Sequence, residues 1–346
     1  MVTAVALGLL VGAGCKKSND PSAKETPKTQ EAKQPATPAA KDTPAAGANG
    51  DATTAVGVQA GGLQHADKEG PAAVLAKLSG TVEVRRVGEP AYAAAKQDTK
   101  LYPGDVVRTG DGGTATVTLA DESTVELAET TALAIASRDG TADPASATAV
   151  LEGLARFSVT SRAPAEGPFR VYTPTGVIVT RGTTYGVGVA ASGEARVGVE
   201  SGTVEVIGLS KMDAAPVAVE KSTQVVLAAD GTVGTPAPWP ADDWGTWRDD
   251  TESKLQVTAA VDAHGKAMTA LQPQLVDGYA QLQVSADQAA TFEATAATSA
   301  EKSDPTAYEA ALPEGAATID ASFSLGARLE ALTWAYVAHA ELATDL

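Results

Sequence analysis

The stretch Thr114 to Ala128, TATVTLADESTVELA, alternates apolar and polar side chains on both sides of the polar turn Asp121-Glu122-Ser123. This period-two alternation is typical of half-buried β-strands. The same pattern recurs over much of the chain, and no run alternates with a long helical segment. The sequence therefore predicts an antiparallel all-β region and excludes a parallel doubly wound sheet. The runs are Val82–Val87, Thr114–Leu119, Thr124–Ala128, Ala132–Ala136, Phe169–Thr173, Val177–Thr180, Tyr185–Ala190, Ala195–Glu200, Thr203–Ile207 and Gln224–Ala228.

Turn signals separate these runs. Glycine supplies the positive φ that tight hairpin turns require, and Pro, Asp and Ser are common beside it. The signals are Pro103-Gly104-Asp105, Asp111-Gly112-Gly113, Asp139-Gly140, Ser192-Gly193, Ser201-Gly202 and Asp230-Gly231.

An ordered series of motifs lies between residues 73 and 208. The motifs are Ser79-Gly80-Thr81-Val82-Glu83-Val84, Leu101 to Gly110 (LYPGDVVRTG), Leu151-Glu152-Gly153, Phe169 to Pro174 (FRVYTP), Arg181-Gly182-Thr183, Tyr185-Gly186-Val187 and Val199 to Val204 (VESGTV). On these motifs the chain resembles the FecR-like domain family. Turn chemistry and strand-end hydrogen bonds favour a structural role for the conspicuous motif residues. Those residues are Gly104, Asp105, Thr173, Pro174, Arg181, Gly182 and Thr183.

The resemblance implies a compact, antiparallel, somewhat solenoid-like β domain outside the cytoplasmic membrane. In its best-known setting such a domain belongs to an inner-membrane regulator of iron-siderophore uptake, where it receives a signal from an outer-membrane receptor. No spanning helix is evident in this sequence, so we expect no direct contact with a cytoplasmic sigma factor. The signalling role then carries over only as a capacity for protein contact.

One turn departs from the family pattern. The family has Asp-Gly-Ser where this chain has Asp121-Glu122-Ser123. Because Glu tolerates a positive φ poorly, we expect a different turn geometry at Glu122.

The N-terminal segment Met1 to Cys15, MVTAVALGLLVGAGC, is uncharged and almost wholly apolar or small. Such a run indicates an export signal and is too short for the roughly 20 residues of a spanning helix. It resembles a bacterial lipoprotein signal, which implies that Cys15 carries diacylglycerol on its thiol. Two features depart from that pattern: no Lys or Arg precedes the apolar run, and Gly12 stands where Leu is usual. The alternative is an ordinary cysteine in a cleaved secretory signal.

Residues 16–70 are rich in Pro, Ala and Lys and contain no aromatic residue. Such a composition buries too little apolar surface to offset chain entropy, so we expect a disordered tether. Its seven Lys balance seven acidic residues, so the net charge of −17 lies beyond residue 70.

The pattern changes to helical spacing after residue 237. The first apolar face recurs every three or four residues and consists of Val257, Val261, His264, Met268, Leu271, Leu275, Tyr279 and Leu282. A second apolar face consists of Ile319, Phe323, Leu329, Leu332 and Tyr336. The spacing predicts two or three antiparallel helices, with Pro273 kinking or dividing the first and Pro313 and Gly315 as a break before the second face. We expect His264 and His339 to be partly buried and hydrogen-bonded rather than ligands.

A tryptophan cluster precedes these helices. Trp239, Trp244 and Trp247 fall within nine residues. We expect them to pack as a seam between the β region and the helices. The alternative is a recognition surface, since Trp concentrates where proteins bind partners or sugars.

Composition excludes several classes of function. An acidic chain with 4% aromatic residues offers no nucleic-acid surface, and one cysteine allows neither an internal disulfide nor a multi-thiolate zinc site. No Asp-x-Asp-x-Asp-Gly loop, nucleophile elbow, phosphate-binding loop or H-E-x-x-H motif is present. We expect a non-enzyme without metal or cofactor.

The sequence thus predicts four segments. They are a lipoprotein signal (1–15), a tether (16–70), a FecR-like β domain (71–236) and a helical hairpin or small bundle (237–346). We expect an envelope lipoprotein, anchored by its acyl chains to the outer membrane and facing the periplasm, that binds another envelope protein. The alternatives are a signal-relay subunit and a structural lipoprotein that binds peptidoglycan or polysaccharide.

Replacing Cys15 with Ser tests the anchor. Because only the thiol can accept diacylglycerol, C15S should lose all labelling by an alkyne-tagged fatty acid and leave the membrane fraction. Metabolic labelling followed by fractionation measures both effects. Equal labelling of the wild type and C15S would contradict the assignment.

Overall fold

The computed structural model describes residues 71–136, 147–163, 167–239, 256–302 and 306–346. Within these ranges the β region holds 17 strands and the C-terminal part holds two helices. The strands are β1 Ala73–Ser79, β2 Val82–Arg85, β3 Ala93–Ala94, β4 Thr99–Leu101, β5 Val106–Thr109, β6 Thr114–Leu119, β7 Thr124–Leu127, β8 Thr131–Ala136, β9 Ala147–Ser158, β10 Phe169–Tyr172, β11 Gly176–Thr180, β12 Thr184–Val189, β13 Ala195–Ser201, β14 Thr203–Gly208, β15 Val217–Glu220, β16 Thr223–Leu227 and β17 Ala237–Pro238. The helices are α1 Val257–Lys302 and α2 Thr306–Asp345, and a 3-10 turn spans Leu209–Lys211.

The strands form two layers. Sheet I has the order β4-β1-β6-β7-β9-β12-β13-β16-β17. Sheet II has the order β3-β2-β5-β8-β9-β10-β11-β14-β15. Every pair is antiparallel except β9 with β10. The predicted antiparallel β fold followed by a helical tail is confirmed.

Strand β9 belongs to both sheets. Its first half pairs with β8 and β10 in sheet II, and its second half pairs with β7 and β12 in sheet I. Gly153 lies at the crossing with φ +84, and the β8–β9 register shifts just before it. A Cβ at Gly153 would come within 2.3 Å of the Thr130 carbonyl oxygen. Only glycine fits this bend without displacing the chain.

One apolar core fills the space between the sheets. Its buried members come from both layers, for example Leu75, Val117 and Phe157 from sheet I and Leu133 and Ile178 from sheet II. Phe157 stacks on Tyr185 with ring centroids 5.2 Å apart. Burial raises the pKa of the Tyr185 phenol well above its ordinary value, so this side chain stays neutral.

All ten predicted runs are strands, but the alternation missed others, β9 above all. Strand β9 is buried at nearly every position of its first half, so it shows no polar alternate residues. Its alanines also have low β-propensity. A strand enclosed on both faces therefore carries no period-two signal.

The expectation of a different turn at Glu122 was wrong. Glu122 itself adopts φ +65. Its N–H donates to the Leu119 carbonyl at 3.0 Å, and the Asp121 carboxylate accepts from the Ser123 N–H at 3.0 Å. These bonds and the pairing of β6 with β7 hold the left-handed geometry that glycine would adopt with less strain.

A division of the first helix at Pro273 and a break at Pro313 and Gly315 were also wrong, while a kink at Pro273 stays a prediction. Helix α1 continues past Pro273, and α2 runs through Pro313 and Gly315. Gly315 is instead a close-packing position, because a Cβ there would come within 2.6 Å of the Phe292 ring. Contacts between the two helices compensate for the weak local helix propensity. The predicted face of α1 is correct at His264 and Leu271, which are buried, whereas Val257 and Val261 are exposed.

Several predictions fall outside the described residues. They concern the signal with Cys15, the tether, Trp244 and Trp247.

Replacing Gly153 with Ala tests the crossing. Left-handed backbone strain and the clash with Thr130 should together lower the free energy of unfolding by about 3 kcal/mol. Gly88 is a matched control, since it has φ +80 with nothing within 4 Å of an added Cβ. G88A should cost only about 1 kcal/mol. Urea denaturation followed by circular dichroism compares the two, and equal losses would contradict the close-approach argument.

Candidate functional site at the helix–sheet seam

Helix α2 covers the outer face of sheet II. This face is built from small and apolar side chains, and α2 places Ala331, Trp334, Val337 and Ala338 against it. Small residues make a sheet flat enough for a helix to approach closely, and burying their apolar surface stabilises the contact. We call this contact the seam. The sheet residues beneath it are Val106, Ala132, Ala134, Ala136, Ala147, Ala149, Leu151, Tyr172 and Val177.

The seam also contains a buried carboxyl group. The Tyr172 hydroxyl donates to Glu330 Oε2 at 2.8 Å. Glu330 is only 9% exposed. A carboxylate in such a position requires hydrogen-bond partners, because burying an unpaired charge costs several kcal/mol. The bond therefore fixes the register of α2 on the sheet.

Ion pairs close one rim of the seam. Arg85 pairs with Glu341, and the Arg108 guanidinium lies 3.7 Å from Asp345. Both guanidinium groups stand over the Tyr92 ring, at 5.0 and 4.2 Å from its centroid. Burial raises the pKa of the Tyr92 hydroxyl, and the negative charge of Glu341 raises it further. The hydroxyl therefore stays protonated. It lies 3.4 Å from Glu341 Oε2.

Two histidines connect the two helices to the β region beside the seam. His264 of α1 and His339 of α2 are buried, with their Nδ1 atoms 2.9 Å apart. His264 Nε2 lies 2.8 Å from the carbonyl oxygen of Ala191, in the turn between β12 and β13. The expectation of buried, hydrogen-bonded histidines is confirmed. What the sequence did not indicate is that the two rings contact each other.

The environment of His339 favours its neutral form. Burial lowers the pKa of His339 from its ordinary 6.5 to about 4, His264 adds to this effect, and the backbone of Pro174 opposes it. His339 is therefore uncharged at neutral pH.

Asp105 of the Gly104-Asp105 motif is wholly buried. Its carboxylate pairs with Arg86 at 2.5 Å and accepts the N–H groups of Val87 and Tyr102 at 3.1 and 3.0 Å. Gly104 donates to the Ile135 carbonyl at 2.8 Å. These contacts join the start of β5 to the loop after β2 and to β8.

The other motif residues are held by similar internal bonds. The Thr173 hydroxyl accepts the Gly176 N–H at 3.0 Å, which closes the turn that presents Pro174 to His339. The Thr183 hydroxyl donates to the Thr203 carbonyl at 3.0 Å. Arg181 and Gly182 are exposed in the turn between β11 and β12.

The model of the FecR protein family matches residues 105–205. These residues form a FecR-like domain. The matched segment runs from Asp105 through β5 to the first half of β14 and contains β9, so the domain includes the crossing between the sheets.

Other comparisons add little to this result. Two solved structures, at 2.50 and 1.65 Å resolution, are of a Parabacteroides distasonis protein that is described as an anti-sigma factor. Each is 21% identical, covers 41% of this chain, and superposes with a TM-score of 0.33. The chain spans 63% of the length of that protein. A comparison with curated proteins gives no match.

Trp239, the member of the tryptophan cluster whose position is described, does not lie in the seam. The Trp239 ring lies over Gly198 of the FecR-like domain, within 2.7 Å of where a Cβ would be, on the outer face of sheet I. Trp239 is 6% exposed, so its ring has little surface to offer a ligand. The seam aromatic is Trp334, on the opposite side of the sandwich.

One feature of the sequence indicates the seam, although the three- to four-residue spacing of apolar residues does not reveal it. In α2 the stretch Leu329 to Ala338 is buried at almost every position, which indicates a helix enclosed by two partners rather than one. The alanine-rich β8 and β9 are the complementary signal, because their outward residues are mostly alanine where a solvent-facing strand would have polar side chains.

Within the described ranges, no group of three or more His, Cys, Asp or Glu side chains is placed to hold a metal ion. None of the helices in that part of the chain combines the length and apolar character that crossing a membrane requires.

Replacing Asp105 with Ala tests the buried hub of the FecR-like domain. The loss of one ion pair and two charged hydrogen bonds should lower the free energy of unfolding by about 3 kcal/mol. The exposed turn residue Asp111 is the control, and D111A should change the free energy of unfolding by about 0.5 kcal/mol or less. Thermal or urea unfolding measures both variants. A decrease in the unfolding free energy of D105A smaller than about 1 kcal/mol would contradict the stabilising role of Asp105.

Proposed function

We propose that this chain is a non-enzymatic cell-envelope lipoprotein whose FecR-like domain binds another envelope protein. The match of residues 105–205 to the FecR family is the observation that carries the proposal. The internal bonding of the buried motif residues supports it, because their polar groups hold the domain together rather than forming a reaction centre. Recognition is then a property of the outer surface.

Two surfaces are candidates for this contact. On sheet I, Arg156 lies between Glu126 and Glu200, at 3.2 and 2.7 Å, and both Arg156 and Glu126 are exposed. On α1, Val276 and Val284 are 62% and 57% exposed. Exposed valines and a mixed-charge row are both features of protein-binding surfaces. Trp244 and Trp247 remain candidate contact residues in this proposal.

The proposed location rests on the N-terminal sequence. Acylation at Cys15 and the 16–70 tether would hold the folded part clear of the membrane, at the periplasmic face of the outer membrane. A flexible linker of this length has a root-mean-square span on the order of 40 Å.

Signal relay is the second candidate function. The FecR match favours it, because the family resemblance implies a domain that receives the state of a receptor. In this version the partner is a membrane protein that carries the signal further. Binding to peptidoglycan or polysaccharide is less favoured where the wall polymer is anionic, because the folded part is itself acidic.

Photo-crosslinking in cells tests the contact. Benzoylphenylalanine is placed in the full chain at Glu126, at Val284 and, as a control, at Lys100 on the edge strand β4. We expect a single discrete adduct from one of the first two positions, identified by mass spectrometry, and none from Lys100. The adduct should depend on the anchor and weaken at least tenfold in C15S, because tethering raises the effective concentration of the partner.

Co-sedimentation with purified sacculi is run alongside. Absence of any adduct together with retention on sacculi would overturn the protein-binding proposal in favour of a wall-binding one. If W244A/W247A removes the adduct while the circular dichroism spectrum is unchanged, these two residues belong to the contact surface.

A further inference from the structure

The histidine pair joins four elements of the structure. His264 brings in α1, His339 brings in α2, and their neighbours are the β12–β13 and β10–β11 turns. Both Cε1 atoms also lie 3.4 Å from where a Cβ of Gly193 would be. Displacing the hairpin from the β region must therefore separate the two rings from both turns.

The hydrogen bonds define one neutral arrangement of protons. A carbonyl oxygen can only accept, so His264 Nε2 carries a hydrogen and donates to Ala191. In a neutral ring the other nitrogen is then bare, so His264 Nδ1 accepts the Nδ1–H of His339. With one hydrogen on each ring, both bonds are made and no charge is buried.

Added protons disturb this arrangement. One added proton keeps the bond between the rings, because either ring can donate from Nδ1 while the other accepts. It buries a positive charge, which the backbone of Pro174 favours without outweighing the cost of burial. Protons on both rings would bury two like charges whose ring centroids are 5.2 Å apart. Released from the seam, His339 would lose the burial that opposes its protonation.

The surrounding elements do little to offset a charge on the rings. Within the described part of the chain, His264 is the one ionisable group whose charge affects His339. Asp262 and Lys266 pair with each other at 2.5 Å on the surface, and Glu341 is paired with Arg85. The β10–β11 turn contributes no charged side chain. Four charged residues are nearest in sequence on these elements: Asp262, Lys266, Glu341 and Glu194 of the β12–β13 turn.

We propose that His264 and His339 form a proton-operated latch, which holds the helical hairpin on sheet II when both rings are neutral and releases it on acidification. Release would uncover the small-residue face of sheet II beneath the seam. This inference concerns the state of the hairpin and is independent of the partner proposed above.

The direction of the pH dependence follows from the bound protons. The docked form holds His339 neutral down to a pKa of about 4, whereas a released His339 titrates at its ordinary 6.5. The docked form thus binds fewer protons, so docking is fully favoured above pH 6.5 and weakens as the pH falls toward 4. Between pH 7.5 and pH 5 the docking equilibrium should weaken about thirtyfold.

Hydrogen exchange measured by mass spectrometry on the full chain tests the latch. Protection factors, corrected for the pH dependence of intrinsic exchange, are compared for α2 peptides between 329 and 342 and for the core strand β12. We expect α2 protection to fall about thirtyfold from pH 7.5 to pH 5 while β12 protection stays constant. Constant α2 protection over this range would overturn the proposal.

Three variants separate the latch from the rim. H264Q/H339Q cannot titrate, so its α2 protection should be flat between pH 7.5 and pH 5. H339Q keeps an amide that can donate to His264 and should lose most of the pH dependence. E341Q weakens the rim but keeps the histidines, so its protection should be lower and its pH profile unchanged. A full wild-type profile in H264Q/H339Q would overturn the proposal.

Nitrogen-15 NMR spectra of the wild-type histidines report their tautomers and protonation directly. They test the proposal even if the variants fail to fold. We expect an Nε2–H tautomer for His264 and an Nδ1–H tautomer for His339 at pH 7.5. Titration of His339 near pH 6.5 with α2 still protected would show that the docked seam tolerates the charge, which would overturn the latch.

Discussion

The crossing of β9 from one sheet to the other is the constraint on which the rest of the structure depends. Two sheets that share a strand have a fixed relative position, so the core between them and the outer face of each are determined together. The crossing requires a left-handed residue in close contact with Thr130, and Gly153 meets both conditions. The FecR-like domain is thus organised around one glycine that its motif Leu151-Glu152-Gly153 carries.

The seam combines two kinds of contact that respond differently to the solvent. The alanine-rich face and Trp334 contribute apolar burial, which changes little with pH or salt. Glu330, the histidine pair and the arginines at the rim contribute bonds that depend on ionisation. A docked element built only for stability would have an apolar contact throughout, because buried polar groups seldom add net stability. The seam is therefore better suited to adjustable docking than to permanent attachment.

Much of the β region could be predicted from the sequence, because half-buried strands show their two faces as alternation. The strand that organises the fold could not, since the first half of β9, residues 147–151, is enclosed on both faces and holds only small or apolar residues. The helices were predicted, but Gly315 was interpreted by its local propensity when its role is close packing against Phe292. The seam could not be predicted without knowing which strands form sheet II and which of its faces lacks polar residues. The contact between His264 and His339 joins two positions that are 75 residues apart in the sequence. Spacing along the chain carries no information on such a pair.

The length of α1 gives the hairpin a mechanical property. At 1.5 Å per residue its 46 residues span about 69 Å, and the buried contacts with the β region lie near one end. The hairpin therefore acts as a lever with its fulcrum at the seam. A tilt of about 10° at the fulcrum would move the far tip by roughly 12 Å for a rod of this length. Small adjustments at the base thus become displacements at the tip as large as the diameter of a helix.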